Sequence, residues 1–122
     1  MKKKVLGIVG QLEIELEGFG DIMLMVLEGQ IDSYTAEEIS KLIEQHILKG
    51  NLNIIIDLTK VDYLDSAGLS VLISVRIKVG KRNGHLRLVG LQGKTKKVFE
   101  LANLIQMFDL YDNRESAFEG LS

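Results

Sequence analysis

The chain has 122 residues, 46% of them hydrophobic and 26% charged, with no cysteine and a formal net charge of −2. That balance suits one soluble globular domain. It excludes a disulfide framework, a thiolate nucleophile and a cysteine-based zinc site. It also lends little support to nucleic-acid binding, because Lys and Arg are scattered and the nearest basic cluster is only Lys94, Lys96 and Lys97.

Met1 to Lys4 is basic and Val5 to Val9 mildly apolar, but Gln11, Glu13, Glu15 and Glu17 follow at once. This apolar stretch is too short for a signal peptide. No run approaches the ~20 apolar residues of a membrane span. The expected protein is cytoplasmic and makes no membrane contact. Residues 1–11 read as an N-terminal extension, either an extra edge strand or a disordered tail, and residues 12–122 as the domain.

Leu12, Ile14 and Leu16 alternate with Glu13, Glu15 and Glu17, the pattern of a half-exposed strand. Gly18 to Asp21 breaks it. Ile22 to Leu27 is continuously apolar, as in a strand covered on both faces, and the two strands are expected to form a hairpin. Thr35 and Glu38 have capping-box spacing, and Tyr34 and Ile39 fit a hydrophobic staple. They open a helix whose apolar face carries Ile39, Leu42, Ile43 and Ile47 and which ends at Gly50. Asn53 to Leu58 reads as a central parallel strand. A loop over Thr59 to Asp65 leads to a helix from Ser66 to Lys81. Its apolar residues (Leu69, Leu72, Ile73 and Ile77; Val71, Val75 and Val79) cover more than half its circumference. Such a helix is deeply buried or partly reserved for a partner. A strand at His85 to Val89, a helix from Lys94 to Leu104, a short strand within Met107 to Tyr111 and a helical turn within Glu115 to Leu121 complete the chain. The β-β-α-β-α-β-α order implies an α/β domain, with helices packed on a mixed sheet.

The polar stretch from Asp57 to Gly68 lies where a strand ends and a helix begins, the end of α/β sheets at which sites form. Ser66 falls at the helix N-terminus, where backbone N–H groups and the helix dipole favour an anion. A phosphate there would add roughly −1.5 to −2 charges beside Asp62 and Asp65. The simpler reading is that Asp65 or Ser66 only caps the helix.

Leu64-Asp65-Ser66-Ala67-Gly68-Leu69 resembles the Asp-Ser-Ser/Thr-Gly-Leu signature of anti-sigma factor antagonists, the STAS domain family. Gly29-Gln30-Ile31-Asp32, about 33 residues upstream, resembles the family's Gly-Glu-Leu/Ile-Asp, and Thr35-Ala36-Glu37 the stretch after it. Ile54 to Leu58, Gly84 to Val89 and Val98 to Ala102 resemble its later elements in the same order. The resemblance spans Leu12 to Phe118. It implies a STAS-type single domain that binds an anti-sigma factor and so frees a sigma factor. In this family the anti-sigma factor is usually a serine kinase that phosphorylates the antagonist and releases it, and a metal-dependent phosphatase reverses the step. Carried over, Ser66 is the phosphoacceptor and Asp32 the loop aspartate beside it, with Asp62, Asp65 and Gly68 completing its surroundings. The simpler reading of Asp32 is a turn residue before a helix. Ala67 departs from the pattern and leaves Ser66 as the only hydroxyl in the signature. Gln30 replaces the usual acidic residue.

The expected partner surface combines the Ser66 and Asp32 loops with the edge of the second helix, where Leu69, Val71 and Val75 are candidate apolar anchors and Lys78 a rim contact. The chain needs no cofactor, is not an enzyme and is expected to be a monomer; ATP belongs to the kinase. The alternative within the family is a scaffold or sensor module without phospho-switching. A receiver domain would need an acidic pair after its first strand, which is absent. Gly90 to Thr95 has two residues before its Gly-Lys pair, where a P-loop needs four. His46 and His85 lie far apart in sequence, so no metal site is expected. Ser66 has no evident activating base.

Overall fold

The structure is a computed structural model that describes residues 2–121, with the side chains of residues 7–121. Six strands form one sheet whose spatial order is the chain order. Strands β1 (Lys2–Val9), β2 (Leu12–Phe19) and β3 (Ile22–Ile31) are antiparallel neighbours. β4 (Asn53–Leu64), β5 (His85–Val89) and β6 (Asp109–Tyr111) continue from β3 in parallel. Residues 1–11 therefore contribute an edge strand, with Met1 lying outside the described residues.

The crossovers are helices α1 (Ser33–Leu48), α2 (Ser66–Gly80) and α3 (Gly93–Leu101). Each parallel strand is added on the same side of the last. Right-handed crossovers then place all three helices on one face of the sheet. The main core lies there. Leu12, Ile14 and Leu16 of β2, Met23, Met25 and Leu27 of β3 and Ile54, Ile56 and Leu58 of β4 meet Ile39 and Ile43 of α1, Leu72 and Val75 of α2 and Phe99 of α3. A smaller cluster on the opposite face joins Ile22, Leu24, Ile55 and Val89 to Ala117 and Leu121, around a fourth helix, α4 (Arg114–Phe118).

This two-sided arrangement explains the strand patterns. β3 is apolar throughout Ile22–Leu27 because helices cover one face and α4 part of the other. β2 alternates because α4 covers only its Phe19 end, leaving Glu13, Glu15 and Glu17 on the open face. No helix among the described residues is long and apolar enough to cross a membrane.

Several boundaries differ from the sequence reading. Thr59 to Asp65 is not a loop: β4 runs on to Leu64, paired with β3 through two register shifts. α3 stops at Leu101, and Asn103 in the left-handed region (φ 60°) leads into a 3₁₀ turn at Ile105–Met107. The last helix begins at Arg114, capped by the Asn113 side chain.

The C-terminal segment is fastened to the open face by two arginines. Arg87 donates to the carbonyls of Ala117 and Glu119, with its guanidinium 5.2 Å from the Tyr111 ring centre. Arg114 Nε donates to Asp57 Oδ2 at 2.7 Å. Burial pushes the Asp57 carboxyl up. Hydrogen bonds from the Thr59 hydroxyl (2.6 Å) and amide (2.9 Å), together with Arg114, outweigh that and hold it below its ordinary value of 3.8. A depressed carboxyl stabilises the fold above its unfolded pKa, and this contribution disappears as the pH falls through the folded pKa. Asp57→Asn is expected to cost about 2 kcal/mol at neutral pH. Below pH 3.8 the difference from the parent protein should shrink, as read by denaturant titrations across the acid range.

Candidate functional site

The parallel strands β3 and β4 end in register, Ile31 opposite Leu64. The next residue in each chain segment is an aspartate, and each aspartate caps the helix that follows. Asp32 (φ −111°, ψ −171°) and Asp65 (φ −108°, ψ −171°) share one backbone conformation. Asp32 Oδ1 accepts from the amides of Tyr34 and Thr35, both at 3.0 Å. Asp65 Oδ1 accepts from those of Ala67 (3.0 Å) and Gly68 (3.3 Å). A serine, Ser33 or Ser66, follows each aspartate as the first helical residue, and both are exposed.

The expected cap at Thr35 is thus overturned. Asp32 is the N-cap, three residues earlier, and Thr35 is buried as the other half of the capping box, accepting from the Asp32 amide at 2.9 Å. The Thr35 hydroxyl donates to the Gln30 carbonyl at 3.0 Å. Tyr34 is not a staple but lies in the first turn, 61% exposed. The Asp32 carboxyl sits below its ordinary range. The Thr35 amide is the main cause, opposed by slight desolvation and helped by the Thr35 hydroxyl and the Tyr34 amide. Asp32 therefore has the turn-and-cap role that the simpler reading gave it, and it holds that role beside the Ser66 helix. The signal was in the sequence as a repeated Asp-Ser, with a small or hydroxyl residue three positions after each aspartate.

Two glycines make the close approach possible. Gly29 has φ 120°, and a Cβ there would stand 2.1 Å from the Gln11 carbonyl oxygen. A Cβ on Gly68 would stand 2.9 Å from Ile31 Cγ2 and 3.1 Å from Leu64 Cγ. The first turn of α2 thus rests directly on the paired strand ends. The Asp65 amide also donates to the Ile31 carbonyl at 3.3 Å.

Of the remaining expected site residues, Asp62 is exposed near the end of β4. The helix-edge anchors do not offer the surface expected of them. Leu69 and Val75 are buried, and Val71 is partly buried against the same core. α2 is apolar nearly all round, but Leu69, Leu72, Val75 and Val79 point into the sheet. Its outer side carries Ser66, Ser70, Ile77 and Lys78. Lys78 Nζ lies 2.7 Å from Glu44 Oε1 of α1. At the end of β5, Thr95 is buried and its hydroxyl donates to the Gln92 carbonyl at 2.8 Å, so it turns inward at a helix start. No group of three or more His, Asp or Glu side chains that could hold a metal occurs among the described residues.

Replacing Asp65 by Ala is expected to cost about 1 kcal/mol, and by Asn much less, because Asn caps equally well. Gly68→Ala should cost roughly 1–3 kcal/mol through overpacking against Ile31 and Leu64. Thermal or denaturant unfolding of the three variants checks both values.

The STAS domain family model matches residues 13–117. An anti-sigma-B factor antagonist of Listeria monocytogenes is 33% identical over 82 residues, covering 67% of this chain and 72% of its own length. The crystal structure of an anti-sigma factor antagonist from Mycobacterium paratuberculosis superposes with a TM-score of 0.81 at 25% identity, covering 95% of this chain and 98% of that one. The phosphorylated form of the Bacillus cell fate determinant SpoIIAA shares the fold, with a TM-score of 0.69 at 21% identity over 84% of this chain and 95% of its own. With its sheet order, its paired strand ends and this match along most of its length, the chain belongs to the STAS domain family.

Proposed function

We propose that this chain is an anti-sigma factor antagonist whose binding is switched off by phosphorylation of Ser66. The observation that carries this reading is the exposure of Ser66 at the first position of α2, beside the capped start of α1. The relatives named anti-sigma factor antagonists support it. In this reading the unmodified protein binds an anti-sigma factor that is also its serine kinase, and a phosphatase reverses the modification. The chain acts in the cytoplasm as a monomeric binding protein and not as an enzyme. It touches neither nucleic acid nor membrane.

The chemistry of the switch follows from the caps. Asp65 Oδ1 already takes the amides of Ala67 and Gly68. A phosphate on Ser66 would gain little from them and would add roughly −1.5 to −2 charges beside Asp65 and Asp62. Asp32 contributes a further carboxylate across the strand pair. Such a corner stays hydrated, and covering it with a partner is costly because like charges must be desolvated together. The fold itself needs no change.

The test is incubation with ATP and each candidate anti-sigma kinase of the host, followed by mass spectrometry of the parent, Ser66→Ala and Ser33→Ala proteins. One phosphate on Ser66 is expected in the parent and in Ser33→Ala and none in Ser66→Ala, with kinase affinity falling on the order of a hundredfold on modification. A phosphate on Ser33 instead, or unchanged affinity after Ser66 is modified, would overturn the switch. Stable binding with no phosphate transferred would favour a scaffold or sensor role.

A further inference from the structure

We infer that Tyr34 and Tyr63 are the two aromatic anchors of the partner interface, and that the partner meets each with an uncharged apolar pocket. The inference rests on the reading above, that the Ser66 rim binds an anti-sigma factor and lets it go when Ser66 is phosphorylated.

Of three tyrosines and four phenylalanines, only Tyr34 (61%) and Tyr63 (47%) are exposed. The others all serve the fold. Phe99 and Phe108 pack edge to face in the main core, Phe19 and Phe118 do so on the open face, and Tyr111 lies against Arg87. Neither exposed tyrosine belongs to a core cluster. Neither hydroxyl bonds another described residue.

Both stand on the same rim. Tyr34 is two residues beyond the Asp32 cap, and Tyr63 is two residues before the Asp65 cap. Each is held in place. Tyr34 lies in a capped first turn with its ring against the β1–β2 turn, where a Cβ on Gly10 would be 3.2 Å from Tyr34 Cδ2. Tyr63 is paired with Gln30 across the β3–β4 ladder. Aromatic side chains on an ordered backbone lose little freedom on binding and dominate measured interface hot spots.

The charge on the rim decides what the pockets contain. Asp32, Asp62 and Asp65 already make it acidic. A partner drawing its affinity from Lys or Arg at this rim would bind more tightly once Ser66 carried a phosphate. Affinity from uncharged contacts, which the two rings supply, is not strengthened in this way and so is compatible with release on phosphorylation.

The test measures affinity by calorimetry for the anti-sigma factor identified in the phosphorylation screen, using unmodified protein. Tyr34→Ala and Tyr63→Ala should each weaken binding about tenfold or more, with the fold checked by thermal unfolding. Tyr63→Thr keeps a strand-favouring residue and replaces Tyr63→Ala if that variant does not fold. Leu48→Ala and Leu101→Ala remove apolar residues that are more exposed than either tyrosine, at the C-terminal ends of α1 and α3 and away from the rim, and should bind like the parent. Raising salt from low to high should weaken the parent complex less than about threefold. Parent-like binding by both tyrosine variants, with phosphorylation still releasing the partner, would refute the anchors and leave the interface reading standing. Steep weakening by salt would refute the uncharged pockets. If the parent binds no candidate, the interface reading fails and this inference falls with it.

Discussion

The pairing of β3 with β4 is the constraint on which the rest of this molecule depends. The two strands run parallel, and their register brings Ile31 opposite Leu64. Each strand leads straight into an aspartate-capped helix, so the register also sets Asp32 beside Asp65 and the start of α1 beside the start of α2. A slip by one residue would send every side chain of β4 to the wrong face of the sheet. The buried Ile54, Ile56 and Leu58 resist such a slip. The hydrophobic core thus positions a polar rim that it does not itself contain.

Within that rim, the carboxylates serve structure first. Asp32 and Asp65 satisfy amides that would otherwise be left unpaired at helix starts. Their charge is a by-product of capping that becomes useful only if a further anion is added next to it. Gly29 and Gly68 serve the same arrangement by allowing backbone and side chains to approach where a Cβ would collide. A motif of aspartates, serines and glycines can therefore describe the local packing and also create a surface sensitive to charge.

The opposite face of the sheet follows from topology. Because each new parallel strand joins on the same side, α1, α2 and α3 share one face, and the other is left to a short C-terminal segment. That segment is too small to cover the sheet by burial alone. Polar fastenings make up part of the difference: Arg87 to the last carbonyls and Arg114 to Asp57. β2 is covered on that side only at Phe19 and carries glutamates along the rest. The strand order decides which strands are apolar on both faces.

Element type was legible in the sequence because it is written in local periodicity: alternation in Leu12–Glu17, a continuous run in Ile22–Leu27 and helical spacing in Ile39–Ile47. The candidate site was legible in the Asp-Ser signature together with the Gly29–Asp32 stretch upstream, through their resemblance to a known family. Contacts between distant segments were not legible. Thr59 to Asp65 reads as a loop because polar residues interrupt it, yet it is strand as far as Leu64 because β3 offers it a pairing edge. Thr35 reads as a cap because its spacing to Glu38 is good, yet the pairing that ends β3 at Ile31 starts the helix at Asp32. Leu69 and Val75 read as free anchors because α2 is apolar all round, and only packing on the sheet chooses the side that is buried. Local sequence determined what each segment could become, since propensity, capping and periodicity act within a few residues. The tertiary structure decided which surfaces remain, since burial and register depend on partners far away in the chain.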